Sequence, residues 1–384
     1  MGNLRETIQG EQHRYFFHDS LGRLLYSKQP EEEANTAFAA TDPITNNTGW
    51  SNKFLYDDSG NITSTTNARG VTVTATYDKF NRIILRDYSD ATPDVGFYYD
   101  GTGLGSTPQY AKGQTTKVAS SISETRYTSF DNLGRLLTHE QRTTAGQLAG
   151  SETAYQTAYT YNLSGAIKTE TYPSGRVMTY DYRQDGELDK LSGLKAGQST
   201  AQTYLDNISY NTLGNIEKLR LGNGTWESAQ YNSRQQISQI ALGTSNTDKS
   251  LLKIDYAYGT PTQNNGSLRQ QKISYAGLPN EIVQDYTYDD LNRLKSAQET
   301  SSSVQSWKQT FNYDRFGNRT FDAINTTTLS VNDKVSNPQI ETSNNRLKEN
   351  QDGGGIDYDY DKSGNVTLLV APYQNLMKFS EFIN

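Results

Sequence analysis

A nine-residue motif recurs along almost the whole chain and constrains its fold more than any other feature. A clear copy runs from Tyr286 to Leu294 and reads Tyr-Thr-Tyr-Asp-Asp-Leu-Asn-Arg-Leu. The general pattern is aromatic, any residue, Tyr, Asp, two of any residue, Gly or Asn, Arg or Asn, and an aliphatic residue. A short motif that returns every few tens of residues is typical of a repeat architecture.

Strong and weak copies together number thirteen, and they follow one another from the N-terminus to near the C-terminus. The weaker copies lack the Asp or the Arg-aliphatic ending, as at Tyr161, Tyr182, Tyr210 and Tyr231. We predict structural roles for the motif residues of the stronger copies, which are Asp19, Gly22, Arg23, Tyr56, Asp57, Gly60, Tyr77, Asp78, Arg82, Asp131, Gly134, Arg135, Tyr288, Asp289, Arg293, Tyr313, Asp314, Gly317, Tyr360, Asp361 and Gly364.

Each copy predicts a β-hairpin. From Val71 to Tyr77, every second residue is apolar or aromatic and the residues between them are threonines, which is the period-2 pattern of a strand. The motif then predicts a turn, because Asp and Asn side chains bond to nearby backbone and Gly or Asn tolerates positive φ. The residues that follow, such as Leu136 and Leu137, predict the returning strand. Aromatic residues on neighbouring strands are expected to stack across the sheet.

Asp and Arg recur four residues apart on either side of the turn. We expect them to form ion pairs across the mouth of each hairpin. A catalytic role is disfavoured, because a catalytic site would not be copied around a sheet. The pairs are Asp19/Arg23, Asp78/Arg82, Asp131/Arg135 and Asp289/Arg293.

The repeat predicts an all-β fold of repeated antiparallel β-hairpins, which continue from about residue 12 to 368. We assign residues 1–368 to one repeat segment, with insertions at about 29–52 and 322–355, and residues 369–384 to a non-repeat C-terminal tail. A hydrophobic content of 33% and a mean hydropathy of −0.79 would also suit a disordered chain. The ordered alternation and the aromatic spacing argue against disorder. The two free sheet edges are expected to promote association.

Composition excludes several classes of function. A net charge of −7 argues against general binding to nucleic acid or to an anionic membrane, and no apolar run is long enough for a membrane helix. The chain has no cysteine, so disulfides and thiolate metal sites are excluded. Asp57, Gly60 and Asn61 resemble part of a calcium loop, but the alternating oxygens and the distal Glu are missing, which favours an Asx turn. We predict no catalytic residue, no metal site, no cofactor and no enzymatic activity.

The motif copies resemble the YD repeats of the Rhs family, whose pattern is Tyr-Asp followed by Gly-Arg-Leu. The resemblance covers nearly the whole chain. Similar repeats occur in bacterial polymorphic toxins, Tc toxin B and C components, wall-associated bacterial proteins and animal teneurins. The resemblance implies that the repeated antiparallel β-hairpins form one continuous spiralling sheet, and for this chain we expect a partial shell or an open spiral. In toxin members of the family the sheet forms a hollow shell that encloses a C-terminal toxin domain.

The resemblance further implies, as partners, the remainder of a longer Rhs-type chain or its enclosed toxin polypeptide, and a secreted or cell-surface location. The Asp-Pro cleavage region of the family is not visible in the sequence, so we expect a segment of a longer repeat protein or a shortened member. Two functions remain open. The first is a structural shell segment that encloses or presents a C-terminal toxin polypeptide. The alternative is a carbohydrate-binding or adhesion module, because rows of tyrosines with Asp and Asn can bind glycans.

Overall fold

The computed structural model describes residues 2–144, 148–149, 152–329, 337–348, 357–370 and 377–378. Within these residues the chain forms strands and turns without a helix, and twenty-five strands belong to one antiparallel sheet. The predicted all-β fold is therefore confirmed. The strands of this sheet are β1 (Glu6–Gln9), β2 (Gln12–His18), β3 (Leu24–Lys28), β4 (Asn52–Tyr56), β5 (Ile62–Thr66), β6 (Thr72–Tyr77), β7 (Ile83–Tyr88), β8 (Val95–Tyr99), β9 (Thr115–Ala119), β10 (Ser123–Phe130), β11 (Leu136–Thr143), β12 (Tyr155–Tyr161), β13 (Ile167–Thr171), β14 (Val177–Tyr182), β15 (Leu188–Leu194), β16 (Gln202–Tyr210), β17 (Ile216–Leu221), β18 (Trp226–Tyr231), β19 (Ile237–Gly243), β20 (Leu252–Ala257), β21 (Gln270–Tyr275), β22 (Ile282–Tyr288), β23 (Leu294–Ser301), β24 (Val304–Tyr313) and β25 (Arg319–Phe321).

Each strand pairs with the next strand along the chain, so the sheet is one long meander of hairpins. Every even-numbered strand ends in a turn of the Tyr-Asp motif, and these turns therefore lie along one rim of the sheet, which we call the YD rim. Every odd-numbered strand ends on the other side, which we call the opposite rim. Its turns include Gly10, Asn67–Gly70 and Leu221–Gly224. The two rims differ because the motif occupies alternate turns only.

The sheet is a single layer. Ten hydrophobic residues are buried in the described part of the chain, which is few for a protein of 384 residues. The accessible surface is 23010 Å², whereas a compact protein of 42.9 kDa exposes about 15,000 Å². A second sheet packed on one face would bury alternate residues along every strand. The excess surface therefore shows a wall with two accessible faces.

The wall winds through one complete turn, so that its beginning meets its end. We call this contact between the first and the last repeats the seam. The Gln9 side chain donates a hydrogen bond to the Arg315 carbonyl at 3.0 Å, and the Glu33 amide donates one to the Lys362 carbonyl at 2.8 Å. Both contacts place the opposite rim of the first repeats on the YD rim of the last repeats. The sheet is thus a spiral and not a closed barrel, because β1 pairs only with β2 within the described chain.

The loop between β3 and β4 coincides with the first predicted insertion and packs around a fully buried tryptophan. Trp50 is fully buried, its indole donates a hydrogen bond to the Ala40 carbonyl at 2.8 Å, and its ring lies against Phe17 and Tyr26. The same loop supplies residues 31–33 to the seam. This segment is therefore an integrated part of the fold.

Two features of the sheet differ from the expectation of one continuous sheet from residue 12 to 368. The sheet begins at Glu6, because the residues before the first motif already form β1. Near the C-terminus, β26 (Asp357–Tyr360), β27 (Val366–Val370) and β28 (Met377–Lys378) form a separate three-stranded sheet, and β27 and β28 extend into the predicted tail. The domain boundaries themselves stay a prediction.

Candidate functional site

The Tyr-Asp turn is a compact hydrogen-bonded unit, and Asp289 shows its geometry. The Leu291 and Arg293 amides donate to one carboxylate oxygen at 3.0 and 2.8 Å, and the Arg293 Nε donates to the other oxygen at 2.7 Å. The Asn292 amide donates to the Asp289 carbonyl at 2.9 Å, and Asn292 has a φ of 60°. Both carboxylate oxygens are therefore used within the turn.

The same unit recurs at the other strong copies. The predicted ion pair is present at all four positions, with N–O distances of 2.6 to 2.7 Å. Where Asn replaces Arg, an amide takes the place of the guanidinium: the Asn61 Nδ2 donates to Asp57 at 2.9 Å, and the Asn318 Nδ2 donates to Asp314 at 2.8 Å. The predicted positive φ is also present at the fourth turn position, with 86° at Gly60.

These contacts lower the pKa of the motif aspartates. At Asp19, the side-chain hydrogen bond from Arg23 makes the largest contribution, and the backbone hydrogen bond from Arg23 adds to it, so the pKa lies below its ordinary value of 3.8. At Asp289, desolvation is the largest contribution and raises the pKa, but the hydrogen bonds from Arg293 and Leu291 outweigh it. Carboxylates held ionised in this way are poor proton donors near neutral pH.

Each motif tyrosine links its own repeat to the preceding one. The Tyr182 hydroxyl donates a hydrogen bond to the Ile167 carbonyl at 2.9 Å, and Ile167 is the aliphatic residue that closes the preceding turn. The same bond, at 2.7 to 2.9 Å, forms at ten tyrosines, which are Tyr56, Tyr77, Tyr99, Tyr161, Tyr182, Tyr210, Tyr231, Tyr258, Tyr288 and Tyr313. This bond gives a physical reason for Tyr, and not Phe, at this position.

The motif arginines make a second link between repeats, in the other direction along the chain. The Arg293 guanidinium lies 4.4 Å from the centre of the Tyr313 ring, and Arg135 lies 4.5 Å from that of Tyr161. Aromatic rings also meet across neighbouring strands, at Phe17 and Tyr26, at His139 and Tyr159, and at Phe311 and Phe321. The expected stacking across the sheet is therefore present at some repeats, and guanidinium–ring contacts and hydroxyl hydrogen bonds link others.

Sequence reasoning missed one turn. Within the second predicted insertion, the Glu341 amide donates to the Arg346 carbonyl at 2.7 Å, and Ile340 pairs with Leu347. The Arg346 guanidinium lies 4.9 Å from the centre of the Tyr360 ring, as motif arginines do elsewhere. The Asn-Arg-Leu sequence at 345–347 was the available signal, but the preceding Tyr-Asp pair is missing.

Two surface hollows lie away from these turns. A hollow of about 350 Å³ is lined by Lys117, Glu124, Arg126 and Arg142, and here Lys117 pairs with Glu124 at 2.6 Å. Desolvation raises the pKa of Glu124, but the hydrogen bonds from Lys117 and Arg126 outweigh this effect and lower it. The cations are thus already engaged by an internal carboxylate.

The second hollow, of about 490 Å³, lies at the opposite rim. Its lining includes Tyr172, Arg176, Met178 and Tyr204. The Tyr172 hydroxyl donates to Glu170 at 3.2 Å. This hollow combines aromatic and polar groups, which is the chemistry expected for glycan contact, but that interaction stays a prediction.

Neither hollow is accompanied by a grouping of three or more metal-binding side chains, as far as the described residues extend. Across the same residues, the structure contains no helix that is long and apolar enough to span a membrane.

The fold and the repeated turn define a class of protein: a single-layer wall of edge-paired hairpins, each joined to the next through a Tyr-Asp unit. The family model for the RHS Repeat matches residues 56–93, which include two motif turns and the opposite-rim turn between them. The same turn geometry recurs from the first repeat to the last. Residues 56–93 of this chain are therefore similar to an Rhs repeat, which supports the resemblance seen in the sequence.

Solved structures of Tc toxins are similar in fold. The Tc holotoxin pore of Photorhabdus luminescens, with a TccC3 mutation, matches 95% of this chain with a TM-score of 0.62 at 16% identity. The TcdB2–TccC3 complex matches 95% with a TM-score of 0.58 at 14% identity, and the same complex without its hypervariable C-terminal region gives 0.58 at 15% identity. This chain spans about a fifth of the length of each, 20 to 21%. No curated protein sequence matches this chain.

Proposed function

We propose that this chain is a wall segment of an Rhs-type shell that encloses or presents a toxin polypeptide. The observation that carries the proposal is the complete turn of the single-layer sheet, held by the seam. Twenty-five strands spaced about 4.8 Å apart give a perimeter of about 120 Å, and a circle of that perimeter is about 38 Å across. After about 5 Å of side chain on each side, a lumen about 28 Å wide remains, which accommodates an extended chain or a helix.

The similarity to Tc toxin components supports this proposal. One of the similar structures is described as lacking a hypervariable C-terminal region, and it keeps the same similarity to this chain. We propose the remainder of a longer Rhs-type chain, or the polypeptide that it encloses, as partners, and a secreted or cell-surface location. We also propose that the motif residues have structural and not catalytic roles, since their polar atoms bond to each other within the turns.

Protease protection tests the enclosure. A protease-sensitive reporter polypeptide is fused after Asn384, and its cleavage is followed in time. We expect cleavage at least about tenfold slower than for the free reporter, because local opening must precede it. The matched variant is Arg346→Glu, which places a carboxylate beside Glu31 at the seam and should restore fast cleavage.

Circular dichroism and digestion of the wall itself establish that the variant still contains the folded sheet. If the fused reporter is cleaved as fast as the free reporter while the wall stays intact, the enclosure proposal is wrong.

A further inference from the structure

The YD rim is covered at one end of the chain and uncovered along the rest. At the seam, the turns at residues 314–317, 341–346 and 361–364 lie under the opposite rim of the first repeats. Gln12 is fully buried there, and its side-chain amide donates to the Thr342 carbonyl at 2.9 Å and to the Asn345 side chain at 2.7 Å. The seam therefore shows what kind of surface covers this rim: the opposite rim of another turn of the same sheet.

The uncovered part of the YD rim carries exposed apolar side chains at one repeated position. The third residue of the turn is Leu or Phe in five uncovered turns, and these side chains are 65 to 73% exposed. They are Leu21, Phe80, Leu133, Leu213 and Leu291. In the covered turn at residues 314–317 the same position is Phe316, which is half-buried. The side chain at the third turn position is therefore less exposed where the rim is covered.

The uncovered part of the opposite rim also carries exposed apolar side chains, at four of its turns. Ile122, Tyr172, Tyr275 and Val304 lie at its turns and are all exposed. Along both rims the turns are two strands apart, or about 10 Å, so the turns of the two rims have matching periods, and apolar side chains occupy a part of the turns on each rim. Exposed apolar residues that line one rim of the sheet indicate an interaction surface.

We propose that the uncovered YD rim of one chain binds the opposite rim of a second copy of this chain, in the arrangement that the seam already shows within one chain. The two surfaces differ, so the contact is heterologous, and each added copy leaves one free rim of each kind. Such a contact does not close after two copies and builds an open stack. The second copy continues the spiral along the same axis. This inference does not depend on any enclosed polypeptide.

Sedimentation velocity of the complete 384-residue chain over a concentration series tests the proposal. We expect species larger than the monomer, whose size increases with concentration. The double variant Leu133→Asp/Leu291→Asp should weaken the association at least about tenfold, because two carboxylates must then be desolvated in the contact. The matched control is Leu55→Asp/Leu85→Asp, which adds the same charge at exposed positions on strands β4 and β7. The control should associate like the unmodified chain.

Cross-linking tests the polarity of the contact, and the absence of native cysteine makes it specific. Copies carrying Leu213→Cys on the YD rim are mixed with copies carrying Tyr275→Cys on the opposite rim, and a short bismaleimide is added. The mixture should give more cross-linked dimer than either variant alone.

The proposal is overturned by a chain that stays monomeric at every concentration, or by a folded rim variant that associates as strongly as the unmodified chain. Preferential cross-linking between two YD rims would overturn it as well. Association that survives the rim substitutions would belong to pairing of the free strand edges.

Discussion

The seam region and the middle of the wall are built from the same hairpins but are stabilised differently. In the middle, between residues 155 and 258, each repeat bonds to its sequence neighbours through the tyrosine hydroxyl and the turn contacts. In the seam region, the β3–β4 loop that reaches the seam buries Trp50, Gln12 is fully buried in the seam itself, and contacts join residues more than 300 positions apart. The stability of the middle is therefore a sum of contributions from single repeats and from contacts between adjacent repeats. The seam, in contrast, couples the two ends of the chain.

The largest expected effect is the loss of Trp50. Trp50→Ala removes a fully buried ring that packs against Phe17 and Tyr26, and we expect the free energy of unfolding of the N-terminal repeats to fall by about 3–5 kcal/mol. Denaturant unfolding monitored by hydrogen exchange measures the loss. Trp226→Ala, which removes a half-buried ring from the middle of the wall, is the control and should cost clearly less. Equal losses would show that the two regions pack alike.

The next effect concerns the seam itself. Gln12→Ala leaves the Thr342 carbonyl and the Asn345 side chain without their buried partner, and we expect a loss of about 2 kcal/mol. Amides of residues 341–347 should then exchange faster, although they lie far away in sequence. The exposed change Gln230→Ala in the middle should have almost no effect. Unchanged exchange at residues 341–347 would contradict the coupling.

A smaller loss of stability is expected from removal of a single hydrogen bond between adjacent repeats in the middle of the wall. Tyr182→Phe removes the hydrogen bond to the Ile167 carbonyl and should cost about 1 kcal/mol. The faster hydrogen exchange should be confined to the repeats around β13 and β15. Tyr172→Phe, whose hydroxyl bonds to a side chain at the exposed opposite rim, is the control and should change less. Faster hydrogen exchange throughout the sheet in Tyr182→Phe would show that the stability of the middle is not a sum of contributions from adjacent repeats.

The smallest effect expected at neutral pH comes from the turn aspartates. Their protonation at low pH changes the stability of the turns in a direction that follows from the lowered pKa. The folded-state pKa of Asp19 is lowered from 3.8, chiefly by the hydrogen bond from Arg23. The stabilisation is therefore fully present above pH 3.8 and is lost as the pH falls through the lowered value. The turn at Asn162 has the same backbone geometry without an ionisable group. Hydrogen exchange, corrected for its intrinsic pH dependence, should show the Asp19 turn opening in acid before the Asn162 turn. Simultaneous opening would mean that the carboxylate contributes nothing specific.

Much of the local structure could be predicted because it depends on residues that are close in sequence. The Asp and Arg of one turn are four positions apart, so their spacing alone predicts the ion pair that Asp131 and Arg135 form. The positive φ at Asn292 likewise follows from the residue types that tolerate it. The family resemblance also rested on these local patterns, and the repeat match at residues 56–93 agrees with it.

The links between repeats were harder to predict. The Tyr182 hydroxyl reaches a carbonyl fifteen residues earlier, and its acceptor is a backbone atom that leaves no sequence signature. Stacking between aromatic residues was the expectation, and it is present at His139 and Tyr159, whereas a guanidinium lies over the ring of Tyr313. The turn at residues 341–346 was missed for a related reason, since it is held by Tyr360 and by the seam and lacks the motif.

The sequence by itself determined the hairpins, their turns and their order, because these depend on backbone preferences and on side chains within a few residues of each other. The tertiary structure alone decided that the beginning of the spiral meets its end after one turn. Small twists between neighbouring strands accumulate over twenty-five strands, and no single pair of residues encodes their sum. Burial of Gln12 beneath the repeats near Asn345 is the product of that accumulated curvature.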